Sequence, residues 1–188
     1  MPGFAATERL STSVAPDSLL LTQELLNTQG PLIYRIDLLD ETGTAQEWLD
    51  GVLDDWQAVN PGQKAARIQL RDVDLAGLAT VRDQLYGLVT GESDVPVLES
   101  PVTVTAGPDG VQASPGGTGI GWISSAVALE LFRAQEQDLL RRLKRCQNPD
   151  CATVFYDRSK NNSRSWHDVA TCGNRANVRA YRARQKDS

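Results

Sequence analysis

All three cysteines and the single histidine of the chain fall in one 27-residue window, Cys146-x4-Cys151-x15-His167-x4-Cys172. A core thiol or a core imidazole needs no such company. Thiolate and imidazole are the donors Zn2+ prefers, and a closed structural site takes four of them. The window therefore reads as a small module organised by Zn2+. Four protein ligands leave no position open for water or substrate, which makes the site structural and not hydrolytic. The bland alternative is three inert thiols with a structural histidine. A second alternative has His167 pointing away and water as the fourth ligand.

The residues between the ligands suggest how they are held. Cys146-Gln-Asn-Pro-Asp-Cys151 resembles a zinc knuckle, a tight turn formed by Pro149 and Asp150 between two ligands. Thr153–Asp157 is strand-like, Arg158–Asn162 is a polar turn, and Ser163–His167 is expected to return as a second strand. Cys172 is expected at the start of a helix. Knuckle, hairpin, and helix bearing the last ligand together give a treble-clef layout.

The run Trp166-His-Asp-Val-Ala-Thr-Cys-Gly-Asn-Arg-Ala-Asn-Val-Arg resembles the CGNR zinc-finger family of bacterial proteins, with the signature intact at Cys172, Gly173, Asn174 and Arg175. Arg145-Cys-Gln-Asn-Pro-Asp-Cys and Phe155-Tyr-Asp-Arg-Ser also look like that family. Leu19-Leu-Leu-Thr-Gln-Glu-Leu-Leu-Asn-Thr is similar to the start of the N-terminal α/β domain, called ABATE, that such proteins carry. The resemblance is specific over residues 145–182 and loose before them. It implies a stress-related transcription regulator. Family members usually have a cysteine after the tryptophan, where this chain has His167. The resemblance then implies a ligand set of three cysteines and one histidine, less negative by one charge and more sensitive to pH, since imidazole must be neutral to bind.

The charge pattern points the same way independently. Residues 138–188 carry a formal charge of +7 and residues 1–137 a charge of -12, within a net -5. An acidic body with a basic end suggests that the end meets a polyanion. Along the final helix, Arg175, Arg179, Arg182 and Lys186 share one stripe, and Ala176, Ala180 and Ala183 form another that can dock on the hairpin. Phosphate answers a stripe of cations, and arginine's planar fork suits it. Arg158, Lys160 and Arg164 in the hairpin turn extend the patch. Asn174 either reads a base edge or, the favoured role, caps the helix. The competing reading neutralises the stripe with carboxylates of the same protein.

These groups need a scaffold. Hydrophobic residues are 40% of the chain and charged ones 23%, enough to bury a core in most of it. The last fifty residues are marginal without a metal. Residues 1–15 read as a loose arm. Helices are expected from Asp17 to Asn27, from the capping box Thr44-x-x-Glu47 to about Trp56, from Asp74 through Leu88, and from Trp122 to about Arg145. Strands are expected at Leu32–Leu39, Ala66–Leu70 and Val95–Leu98. A hairpin is expected over Val102–Thr105 and Val111–Ala113, turning at Gly107-Pro108-Asp109-Gly110. The fold class is α+β, with a mixed N-terminal body at 1–140 and a treble-clef-like finger at 141–188.

Several classes are set aside. No stretch approaches the ~20 apolar residues of a membrane span, and the start is no secretory signal. Cysteines confined to one window suit a reducing, cytoplasmic compartment. Gly116-Gly-Thr-Gly-Ile-Gly121 has the spacing of neither GxGxxG nor a P-loop and reads as a loop. Asp54-Asp55 and Asp72-Val-Asp74 have surface and helix-end roles, so no enzyme is indicated. Trp48, Trp56 and Trp122 serve the core or, alternatively, line a pocket. The expectation is a regulator that binds double-stranded DNA through the finger, with a body that senses a small molecule or protein partner. The alternative is a zinc-stabilised adaptor for an acidic protein. No heptad seam indicates an oligomer. One finger buries only about 600–1,000 Å2 on DNA, so sequence-specific reading calls for a dimer or a partner.

Overall fold

The computed structural model describes residues 5–91, 98–108 and 110–186. In chain order the elements are α1 (Ala5–Glu8), α2 (Leu20–Leu26), α3 (Thr42–Val59), α4 (Asp72–Thr90), β1 (Val102–Gly107), β2 (Gly110–Pro115), α5 (Gly119–Glu136), β3 (Leu143–Arg145), β4 (Val154–Tyr156) and α6 (Asn174–Lys186). Two separate two-stranded antiparallel sheets, β1-β2 and β3-β4, accompany the helices. The class is α+β.

Helix α2 is the axis of the body. Every residue of it is buried, including Gln23 and Glu24. A helix enclosed on all sides must satisfy its polar groups internally. Glu24 accepts from the backbone N–H of Ala6 at 3.1 Å and Thr7 at 2.9 Å, and from Trp48 Nε1 at 3.3 Å. Residues 1–15 are therefore no loose arm over their described part: α1 is docked on α2, with Ala6 and Thr7 fully buried. At its other end α2 is held by Glu130 of α5, which accepts from Leu21 N at 3.1 Å, Thr22 N at 2.8 Å and Thr22 Oγ1 at 2.7 Å. Burial pushes Glu130 up to about 7 despite these bonds.

Around α2, α3 buries Ala45, Trp48, Leu49, Val52, Leu53 and Trp56, a helical stripe. Trp56 meets Trp122 of α5 edge-to-face, with ring centroids 5.2 Å apart. Helix α4 buries Leu78, Val81 and Leu85, while Leu88 is exposed. The tryptophans at 48, 56 and 122 are all core residues.

Several expected elements differ. Leu32–Leu39 forms turns with one bridge, Gln29 to Asp37, in place of a strand. Arg82 accounts for the path: it donates to Asp37 Oδ1 at 2.7 Å and Thr28 Oγ1 at 3.0 Å, folding the loop back onto α4. Leu32, Ile33, Tyr34 and Ile36 are left exposed. Ala66–Leu70 is irregular, tied to α3 through Gln46, which donates to Ile68 O and accepts from Leu70 N. The Val95–Leu98 strand falls largely outside the described residues. Helix α3 begins at Thr42 with no side-chain cap, so the capping box at Thr44 and Glu47 is not used. Asp74 stands one turn inside α4 and accepts from Arg71 N at 2.9 Å.

The hairpin is present, with Val104 opposite Ala113 and Ala106 opposite Val111. Its register gathers Val102, Val104, Ala106, Val111, Ala113 and Pro115 on one face and polar or glycine residues on the other.

The helix expected to run from Trp122 to Arg145 stops at Glu136. Asp138 takes a left-handed conformation, φ 58°, and its carboxylate forks onto Arg141 at 2.6 and 2.7 Å. A short 3-10 turn, Leu140–Arg142, follows, and the chain enters β3. Leu143 still reaches the body core, from a strand and not a helix. Val154 and Tyr156 of β4 join the same core cluster.

Candidate metal centre and basic helix

Strands β3 and β4 flank the knuckle and pair with each other, Leu143 opposite Tyr156 and Arg145 opposite Val154. The ladder continues one step, where Cys146 N donates to Thr153 O at 2.9 Å. Between them Cys151 N donates to Asn148 O at 2.8 Å, which closes the turn and brings Cys146 and Cys151 together. Ser163–His167 forms no strand. It runs extended beside the knuckle, with Ser165 O accepting from Gln147 N at 2.9 Å. The partner of β4 is thus β3, because Leu143 and Tyr156 are apolar and buried whereas Ser163–Ser165 is polar.

The loop that carries His167 is fixed by a buried carboxylate. Asp157 is fully buried and accepts from Lys144 Nζ at 2.8 Å, Arg164 N at 2.8 Å and Ser159 N at 2.8 Å. Burial would raise this carboxyl, but those donors hold it well below the usual carboxylate range. Arg164 lies over the Phe155 ring and donates through Nε to Trp166 O at 2.7 Å and through its terminal nitrogen to His167 O.

The last ligand comes from a π-helical turn, Val169–Gly173, that precedes α6. Asp168 caps it, accepting from Ala170 N at 2.7 Å and the Thr171 hydroxyl at 3.0 Å. Asn174 does not cap α6; its Nδ2 donates back to Ala170 O at 2.9 Å, one turn earlier. Gly173 is where Trp166 comes closest: a Cβ there would lie 3.2 Å from Trp166 Cδ1 and 3.2 Å from Val169 Cγ1. Trp166 in turn packs on the three cysteines.

These elements bring Cys146, Cys151, His167 and Cys172 into one buried cluster whose ligand atoms all lie within 4.8 Å of one another. Bond lengths of 2.3 Å to sulfur and 2.0–2.1 Å to nitrogen in a tetrahedron imply ligand separations of about 3.5–3.8 Å. Cys151 Sγ and His167 Nδ1 are 3.5 Å apart. The donor set and spacing thus fit a four-coordinate metal ion, with imidazole binding through Nδ1. A hydrogen bond from Cys151 lowers the Cys146 thiol, against the opposing effect of burial, and the same contact raises Cys151. Metal ligation requires cysteine as thiolate, so binding a cation here releases protons.

Polar groups in contact with the cysteine sulfurs complete the site. Asn148, 1% exposed, donates from Nδ2 to Cys172 Sγ at 3.3 Å and accepts at Oδ1 from Arg179 at 2.7 Å. The Thr153 hydroxyl lies 3.2 Å from Cys151 Sγ. Sequence reasoning treated Asn148, Thr153 and Asp157 only as turn or strand residues. An Asn inside the knuckle was the one available signal, since a buried thiolate needs an N–H donor.

The expected phosphate contacts divide by place. Arg175, Arg179 and Arg182 line one groove of α6, together with Asn174, Val178 and Asp150. Arg179 pairs with Asp150 at 2.8 Å. Among the described residues no ion pair reaches Arg175 or Arg182. Lys186 is the last residue of α6, and its side chain, like those of Ala180 and Ala183, falls outside the described ones. Lys160 is exposed in the polar turn. Arg158 reaches away from α6, over the Tyr156 ring and onto Val14 O at 2.7 Å. Arg164 is committed to the carbonyls around His167.

No helix among the described residues is long and apolar enough to cross a membrane. No curated protein matched the chain. The family model of the CGNR zinc finger matches residues 142–185, a segment that holds the four clustered ligands and nearly all of the basic helix, and this segment is similar to that family.

Proposed function

We propose that Cys146, Cys151, His167 and Cys172 hold one structural Zn2+ and that the chain is a regulator whose finger binds double-stranded DNA. The donor set supports the ion: three cysteine sulfurs and an imidazole gathered within 4.8 Å of one another favour Zn2+ over oxygen-seeking cations. The observation that carries DNA binding is the groove along α6. Arg175, Arg179 and Arg182 converge on it, and only Arg179 is neutralised by a described carboxylate. That ion pair positions α6 against the knuckle, while Arg175 and Arg182 face outward for phosphate oxygens. Lys160 is a further exposed cation of the finger; Arg158 and Arg164 serve the finger's own frame.

Fluorescence anisotropy of the zinc-loaded full chain against duplex DNA, across a salt series, tests this. The log–log slope is about -0.9 per phosphate contact. An Arg175→Gln/Arg182→Gln variant is expected to lower the contact number by about two. No retention of duplex, single-stranded DNA or RNA at low salt overturns the reading.

A second reading is favoured by one observation. Val169, Val178 and Tyr181 are 60%, 48% and 58% exposed beside the basic groove. An acidic amphipathic protein segment would cover both kinds of surface. Nuclease-resistant capture of one protein, with no DNA retention, identifies that adaptor role.

A further inference from the structure

A cleft of about 860 Å3 opens between the C-terminal turn of α4 and the finger. Val89 lines it from the body; Arg145, Gln147, Asn162, Ser163 and Ser165 line it from the finger. Its volume suits a small organic molecule. Lys144 and Arg164 also face it, and no carboxylate of the described residues does.

The three cations are not equivalent. Lys144 spends its donors on Asp157, Asn162 O and Arg164 O. Arg164 is bound to the carbonyls of Trp166 and His167. Arg145 differs: its guanidinium stands 5.2 Å over the Tyr86 ring, and its Nε is buried with no hydrogen-bond partner. A buried charged donor without an acceptor is costly and calls for an explanation. Asn162 Oδ1, from another residue lining the same cleft, is likewise buried and unpartnered.

We propose that this cleft is a binding site for a small organic oxyanion, a carboxylate or phosphate monoester, whose charged end pairs with Arg145. The guanidinium fork matches either anion. Asn162 Oδ1 takes a hydroxyl or N–H of the ligand, and the hydroxyls of Ser163 and Ser165 and the Gln147 amide offer further polar contacts. Val89 and Pro149 face its carbon part. The ligand would touch body and finger at once, in a cleft that shares no lining residue with the α6 groove. The site stands independently of the DNA reading.

The test uses the zinc-loaded full chain in phosphate-free buffer, titrated calorimetrically with phenyl phosphate and, in parallel, benzoate. One saturable site is expected for at least one probe, weakened at least tenfold by Arg145→Gln and within twofold of the parent for Arg182→Gln. Amide shifts in the unaltered protein should concentrate at Gln147, Ser163 and Ser165, which keeps the test decisive should Arg145→Gln fail to fold. Equal losses in both variants, shifts confined to α6, or no saturable binding of either probe overturn the proposal. So does a result in which Arg145→Gln weakens only duplex DNA, which would assign the cleft to a nucleic-acid path.

Discussion

Asn27, at the C-cap of α2, and Val154 of β4 bind each other twice: Val154 N donates to Asn27 Oδ1 at 2.9 Å, and Asn27 Nδ2 donates to Val154 O at 2.9 Å. A side-chain amide here does what a neighbouring strand would do. The free edge of β4 is closed by the body's central helix, and Gln23 Nε2 adds a longer bond to the same carbonyl at 3.3 Å. Both partners are fully buried. The finger thus hangs from the axis of the body.

Replacing Asn27 by Ala leaves the buried N–H of Val154 without its acceptor and weakens the hold on its carbonyl. The expected loss is about 2–4 kcal/mol, from two buried polar groups and a small cavity. Hydrogen exchange is the discriminating measurement. Protection should fall in both α2 and β4, whereas a purely local effect would leave β4 unchanged.

Gly173→Val is expected to damage the finger and spare the body. The added side chain would collide with Trp166 and Val169, whose atoms already come within 3.2 Å of a Cβ at that position. Trp166 covers the cysteines, so metal affinity should fall at least tenfold. Competition with a chromophoric chelator reads the affinity, and far-UV circular dichroism checks the helical body.

Glu130 gives the body a pH signature. Burial holds its carboxyl near 7 in the folded protein, against 4.5 as the ordinary value. The folded state therefore binds this proton more tightly than the unfolded state. Its contribution is most favourable below about 4.5 and is lost as pH rises to about 7, a change of about 3 kcal/mol. Urea unfolding at pH 5 and pH 8 of the parent and Glu130→Gln isolates it. The stability of the parent relative to the variant should drop between the two pH values; a constant difference contradicts the assignment.

The ligand window was legible because soft donors are rare and have few reasons to cluster. The amphipathic stripes of α3 and α4 were legible for the same physical reason that they exist, one face against the core. The failures share a cause. Leu32–Leu39 alternates well enough for a strand, yet Arg82, 45 residues away from Asp37, decides its path. The end of α5 is set by Asp138 turning left-handed, and no local pattern overrides the helical run of Leu139 to Leu143. Within the finger, β4 chose β3 over Ser163–His167 because the core of the body claims Leu143 and Tyr156. The sequence marks α2 only as a short helix; that its polar residues Thr22, Gln23 and Glu24 are buried and bonded across the interior follows from partners distant in the chain.

X-ray absorption of the purified chain at the zinc edge addresses the closed metal site directly. One Zn2+ per chain is expected, with three sulfur scatterers at about 2.3 Å and one nitrogen at about 2.0 Å. His167→Ala should replace the nitrogen of imidazole with a water oxygen and lower the affinity. A site with fewer than three sulfurs, an exchangeable water in the parent protein, or an unchanged spectrum in His167→Ala would contradict the Cys146–Cys151–His167–Cys172 centre.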